Sequence, residues 1–173
     1  DQDFAKSSEF HHASGYVKWL VKQITDEFCR TFKDQVFTGC SNDFRIIAPC
    51  CDLAFQQADT LKNDGIMLTY IVQDNFRETI ALAIESFVWK YEDELNEKIG
   101  TESWMSTEVA GQELMSFTRS MRGSAVVTET GKILFRFCDE FAHLLKPVVS
   151  IQLYQTTVSH LKRVFEHYLV SVF

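Results

Sequence analysis

From Ile66 to Ile99 the chain runs for more than thirty residues without a glycine or a proline. Apolar side chains recur through it at Ile66, Tyr70, Phe76, Ile80, Ile84, Phe87, Tyr91, Leu95 and Ile99. Steps built mainly from three and four residues place these side chains along one side of an α-helix, whereas a half-buried strand needs alternation with period two. The Asn63-Asp64-Gly65 cluster just upstream is compatible in isolation with a hairpin turn or a helix stop. Neither flank alternates, so the spacing predicts a helix stop with Gly65 as the left-handed cap residue.

The same period appears elsewhere. Val17, Leu20, Val21, Ile24, Phe28, Phe32 and Phe37 predict a helix from about Ser14 to Phe37, closed by Gly39, Ser41 and Asn42. Phe44, Ile47, Cys51, Ala54, Phe55, Ala58 and Leu61 predict a second. Its regular part is expected to start near Ala48, with Pro49 in the first turn where no N–H is missed. Residues 100–123 hold three of the seven glycines and many Ser and Thr, and read as a long connection or internal sub-boundary. Periodicity returns through Ile133, Leu134, Phe137, Phe141 and Leu144, then passes Pro147 into Val148, Ile151, Val158, Leu161, Phe165, Tyr168 and Val172. Pro147 either kinks one helix or opens another.

The expected architecture is all-α: a single region over 1–173, an elongated antiparallel bundle of about five helices with no sheet. Trp19, Phe28, Phe32, Tyr70, Ile80 and Phe137 are expected in its core because each lies on an apolar stripe.

Function classes narrow by exclusion. A net charge of −7, from 17 basic and 24 acidic side chains, argues against a polyanion-binding face and so against nucleic acid. A local basic patch around Lys162 and Arg163 is the exception to examine. No apolar run approaches the length of a membrane span, and the chain opens on Asp1 without a signal sequence, reading as a piece of a larger cytoplasmic protein. The five cysteines, Cys29, Cys40, Cys50, Cys51 and Cys138, show no C-x-x-C spacing and read as reduced, packed thiols. Adjacent Cys50 and Cys51 point in different directions on a helix, and no cation within one turn favours a thiolate.

His11 and His12, and His160 with His167, lack the convergent ligand company that zinc requires. "YEDELNEK" at 91–98 offers carboxylates without a Glu-x-x-His partner and reads as a solvated helix face. Phosphate-binding glycine loops and the G-x-S-x-G elbow are absent from the sequence. The expectation is a non-enzyme with no catalytic residues, metal or cofactor.

Three landmarks in order carry a family resemblance: "SGYVKWLVKQITDEFCRTFKDQVF", "APCCDLAFQQADTLKNDGIMLTY", and a long amphipathic helix ending near Trp104. Together they resemble the C-terminal domain of the eighty-four-kilodalton exocyst subunit, exocyst complex component eight in animals. The first carries Tyr16, Val17, Trp19, Val36 and Phe37 where that family has its aromatic, valine, tryptophan and closing Val-Phe. The L-x-x-x-G-[LI]-x-L-T-[FY] segment is matched by Leu61, Gly65, Ile66, Leu68, Thr69 and Tyr70, and the helix before it by Ala48, Cys50 and Ala54. The match covers roughly residues 8–104, and the Ile99 to Trp104 interval is shorter than in the family. The resemblance implies a rod of stacked helical bundles that tethers secretory vesicles to the plasma membrane before fusion. It implies other exocyst subunits as partners, small GTPases or SNARE-associated proteins as indirect ones, and a peripheral location at sites of secretion. A helical regulatory module that binds a small GTPase or a peptide helix in one groove is the alternative.

Overall fold

The computed structural model describes residues 2–64, 66–102, 107–109, 125–150 and 153–172. Five α-helices appear among them: α1 (Gln2–Phe32), α2 (Phe44–Thr60), α3 (Thr69–Ile99), α4 (Glu129–Leu145) and α5 (Tyr154–Val172). Two three-residue strands, β1 (Thr107–Val109) and β2 (Ala125–Val127), pair antiparallel with Thr107 opposite Val127. Among the described residues this short ribbon is the one departure from helix in the regular elements, and an all-α reading without any sheet did not include it. It brings the chain back to where it left: the Glu102 carboxylate accepts the N–H groups of Glu129 (2.7 Å) and Thr130 (3.3 Å) at the start of α4. Thr128 caps the same end by accepting from the Gly131 N–H at 3.1 Å. Most of 100–123 lies outside the described residues, and the sub-boundary expected there with it.

α3 is the axis. At 31 residues it is about 46 Å long, and α1, α2, α4 and α5 all pack against it. Its buried line, Val72, Phe76, Ile80, Ala83, Ile84, Phe87, Val88, Tyr91 and Leu95, is wide enough to serve neighbours on more than one side. Two aromatic clusters form along it, three turns apart. Phe76 stacks on Phe32 (4.6 Å between centroids) and meets Phe37 (5.5 Å) and Phe55 (6.2 Å). Phe87 meets Phe44 (5.7 Å), Tyr91 (5.1 Å), Phe137 (6.2 Å) and Phe141 (6.0 Å). The first cluster joins α1 and α2 to α3, and the second joins α2 and α4.

The end of α1 shows why the first cluster closes. Phe32 and Phe37 are five residues apart, which is about 140° around a regular α-helix. Residues Lys33–Thr38 instead form a π-helical turn. The wider i→i+5 turn swings Phe37 back toward the side of Phe32, and both rings reach Phe76. Gly39 follows because the turn leaves no room for a side chain: a Cβ there would lie 2.3 Å from the Gln35 carbonyl oxygen. Ser41 and Asn42 then reverse the chain with φ of 51° and 56°, a left-handed conformation that Asn accepts more readily than most residues.

Several expected boundaries move. α1 begins at Gln2 rather than Ser14, since the Ser and His residues upstream are only mildly unfavourable in a helix. α2 begins at Phe44 rather than Ala48, because the Asp43 side chain accepts from the Arg45 N–H at 3.1 Å and caps the earlier start. Pro49 consequently lies beyond the first turn and leaves the Arg45 carbonyl without its helical donor. The stop after α2 is a 3₁₀ turn at Leu61–Asp64, and the Ile66 N–H closes back onto the Leu61 carbonyl at 3.0 Å. The helix-stop reading therefore holds, while the conformation of Gly65 lies outside the described residues. Pro147 separates two helices rather than kinking one: α4 ends at Leu145 and α5 starts at Tyr154.

Of the six expected core residues, Ile80 and Phe137 are fully buried and Phe32 is half-buried against the core. Trp19, Phe28 and Tyr70 are exposed, which corrects the expectation. The buried line of α1 runs through Thr25, Cys29 and Phe32. Phe28 lies one position off it, and Trp19 belongs to residues 15–20, all of them exposed. Tyr70 precedes the first buried residue of α3, Val72, by two positions, roughly 200° around the helix.

Candidate functional site

Among the described residues three arginine–glutamate pairs connect the helices, and none joins sequence neighbours. Arg45 of α2 forms a two-pronged bond with Glu140 of α4 through Nε and Nη2. The Tyr91 hydroxyl of α3 donates to the same carboxylate, so three helices meet at one side chain. Arg136 of α4 pairs with Glu94 and lies over the Tyr91 ring at 5.6 Å. Arg163 of α5 holds Glu92 through Nε (2.7 Å) and Nη2 (3.0 Å).

These contacts correct two sequence readings. Within "YEDELNEK", Tyr91 and Leu95 are core residues and Glu92 and Glu94 are interhelical anchors, so the stretch is not a purely solvated face. The basic patch at Lys162 and Arg163 is neutralised, by Glu166 at 3.5 Å and by Glu92. Partly exposed pairs of this kind contribute about 0–1 kcal/mol each. Their effect is to select which turn of α4 and α5 meets which turn of α3, while the aromatic core supplies most of the stability.

Electrostatics follow the same contacts. The hydrogen bond from Arg45 holds the Glu140 carboxyl below its ordinary range. Burial, and then the bond to Glu140, push the Tyr91 phenol up. Because the folded pKa of Glu140 is depressed, its stabilising contribution is present above the unfolded value of about 4.3 and is lost as pH falls through the folded value. Glu140→Gln is expected to lower the urea midpoint at pH 6, and the gap from wild type should close as acidification passes through the depressed folded value. A gap independent of pH in urea titrations would contradict this assignment.

The residues first considered for chemistry are dispersed. All five cysteines are free. Burial pushes the thiols of Cys29 and Cys138 up, and that of Cys51 up to about 12, so none of the three is poised as a thiolate. His11 and His12 have no described side chains. His160 is 9% exposed and burial lowers its pKa, while the Nδ1 atom of half-buried His167 has no hydrogen-bond partner among the described residues. Among the described residues no three His, Cys, Asp or Glu side chains converge as metal ligands. Among the same residues no helix is long and apolar enough to cross a membrane.

The surface itself is the stronger candidate. α1 carries Val17, Leu20, Ile24 and Phe28 along one exposed stripe beside the line that docks on α3. α5 repeats the arrangement: Thr157, His160 and Val164 face inward, while Tyr154, Val158, Phe165 and Leu169 form an exposed stripe. Isolated exposed apolar residues are ordinary, but two stripes continued over several helical turns mark surfaces that a partner helix fits. Sequence reasoning assigned the α1 stripe to the core, because periodicity reports that a face is apolar and not what covers it.

Comparison of the chain with models of known families, with curated proteins and with solved structures finds no match.

Proposed function

We propose that this chain is a non-catalytic helical domain of the exocyst, which tethers secretory vesicles to the plasma membrane by binding other subunits of the complex. The observation that carries the reading is the pair of uncovered apolar stripes on α1 and α5. Each helix spends one face on α3 and leaves a second face ready for another helix, as a unit of a longer stacked rod would. The sequence landmarks support the same family: the Leu61 to Tyr70 segment lies across the stop between α2 and α3, and Tyr16, Val17 and Trp19 are exposed on α1. In this reading the protein works in the cytoplasm, peripherally at sites of secretion, without a cofactor.

The test is a pull-down from cytosol with this domain, read by mass spectrometry. Recovery of other exocyst subunits supports the scaffold. Capture of a small GTPase alone, in one nucleotide state and not the other, would replace the scaffold with an effector module.

A further inference from the structure

Between α3 and α5 lies an open groove of about 520 Å³, lined by Glu78, Ala81, Leu82, Glu85, Thr156 and His160. The four α3 residues share one helix face, and the two carboxylates stand two turns apart, about 10 Å along the axis. Neither carboxylate meets a Lys or Arg among the described residues, in contrast to Glu92 and Glu94 further along the same helix. Between them Leu82 is 56% exposed, an apolar side chain without a cover. His160 also lines the groove; it makes no hydrogen bond among the described residues, and its ring nitrogens stay open to the groove, within electrostatic reach of Glu85, where an occupant can bond to them.

We infer that this groove takes an amphipathic, basic helix of a protein partner. Its apolar side chain covers Ala81 and Leu82, two Lys or Arg side chains two turns apart pair with Glu78 and Glu85, and a polar group between them reaches His160. The unpaired carboxylates select the sign of the partner: they repel nucleic acid, anionic membrane and acidic helices, and draw in a cationic one. Helix-in-groove docking supplies the length match, since equal rise per residue lets charges seven apart on one helix face charges seven apart on the other. This surface is separate from the stripes on α1 and α5, and the inference stands without them.

A labelled lysine–leucine amphipathic peptide, with lysines two turns apart flanking a leucine pair, tests it by fluorescence anisotropy against the whole chain. Saturable binding is expected, weakening with added salt and falling by about tenfold or more in Glu78→Lys/Glu85→Lys. All three groove positions proposed for substitution, Glu78, Glu85 and Leu82, are exposed, so the variants should keep the wild-type circular dichroism spectrum. Leu82→Ser should also weaken the peptide, while Val17→Asp on α1 should leave it unchanged, which separates failure here from failure of the tethering reading. Equal affinity for wild type and the double-lysine variant overturns the inference, as does equal binding of a glutamate-for-lysine peptide or no saturable binding. A wild-type dimer dispersed by the double-lysine variant would also overturn it, by showing that a second copy fills the groove.

Discussion

Phe87→Ala is expected to lower the unfolding free energy by about 3–5 kcal/mol, the range for removing a fully buried aromatic side chain. Phe87 is 2% exposed and is the meeting point of Phe44 from α2 and Phe137 and Phe141 from α4. Those neighbours belong to separate helices whose spacing is also set by the pairs around Glu140, so the void can collapse only in part. Urea denaturation measures the loss, and a change under about 0.5 kcal/mol, the range of ordinary surface substitutions, would show that α2 and α4 do not converge on this ring.

Phe76→Ala is expected to cost a similar amount, about 3–5 kcal/mol, with a different distribution. Phe76 is fully buried and carries the contacts of Phe32 and Phe37, through which the end of α1 docks. Upstream of these, α1 places only Thr25 and Cys29 fully inside among its described side chains. Removing the ring should therefore release α1 as a unit. Hydrogen exchange should show lost protection across residues 25–38 ahead of α4 and α5. Uniform loss over the whole chain would mean that α1 is not separately held.

How much of this was legible in the sequence depends on which physical signal each feature leaves. The periods around Ile80, Phe87 and Phe137 identify helices because packing requires a repeating apolar face. The helix stop before Ile66 is legible from turn chemistry. The π-helical turn at Lys33–Thr38 is not, since Phe32 and Phe37 have a spacing that looks out of register until Phe76 is placed between them. The pairing of Arg45 with Glu140 spans 95 positions and leaves no local pattern. Neither do Arg163 with Glu92 or Glu102 with the start of α4.

The candidate surfaces divide in the same way. Val17, Leu20, Ile24 and Phe28 are visible as an apolar stripe in the sequence, but their exposure depends on which neighbour α1 lacks. Glu78 and Glu85 are ordinary acidic residues until α5 brings Thr156 and His160 beside them. The α3–α5 groove could have been sought from the seven-residue spacing of the two glutamates on a long helix, although that spacing alone is common on solvated faces.

The most direct test of the tethering account is the same pull-down carried out with three proteins in parallel: wild type, Val17→Asp/Ile24→Asp and Val158→Asp/Leu169→Asp. All four positions are exposed, so each variant should fold with an unchanged circular dichroism spectrum. The account predicts that wild type recovers other exocyst subunits and that at least one pair of aspartates removes them, because a carboxylate at the centre of an apolar helix interface is desolvated without a partner. Equal recovery of those subunits by all three proteins, or none by wild type, would contradict it.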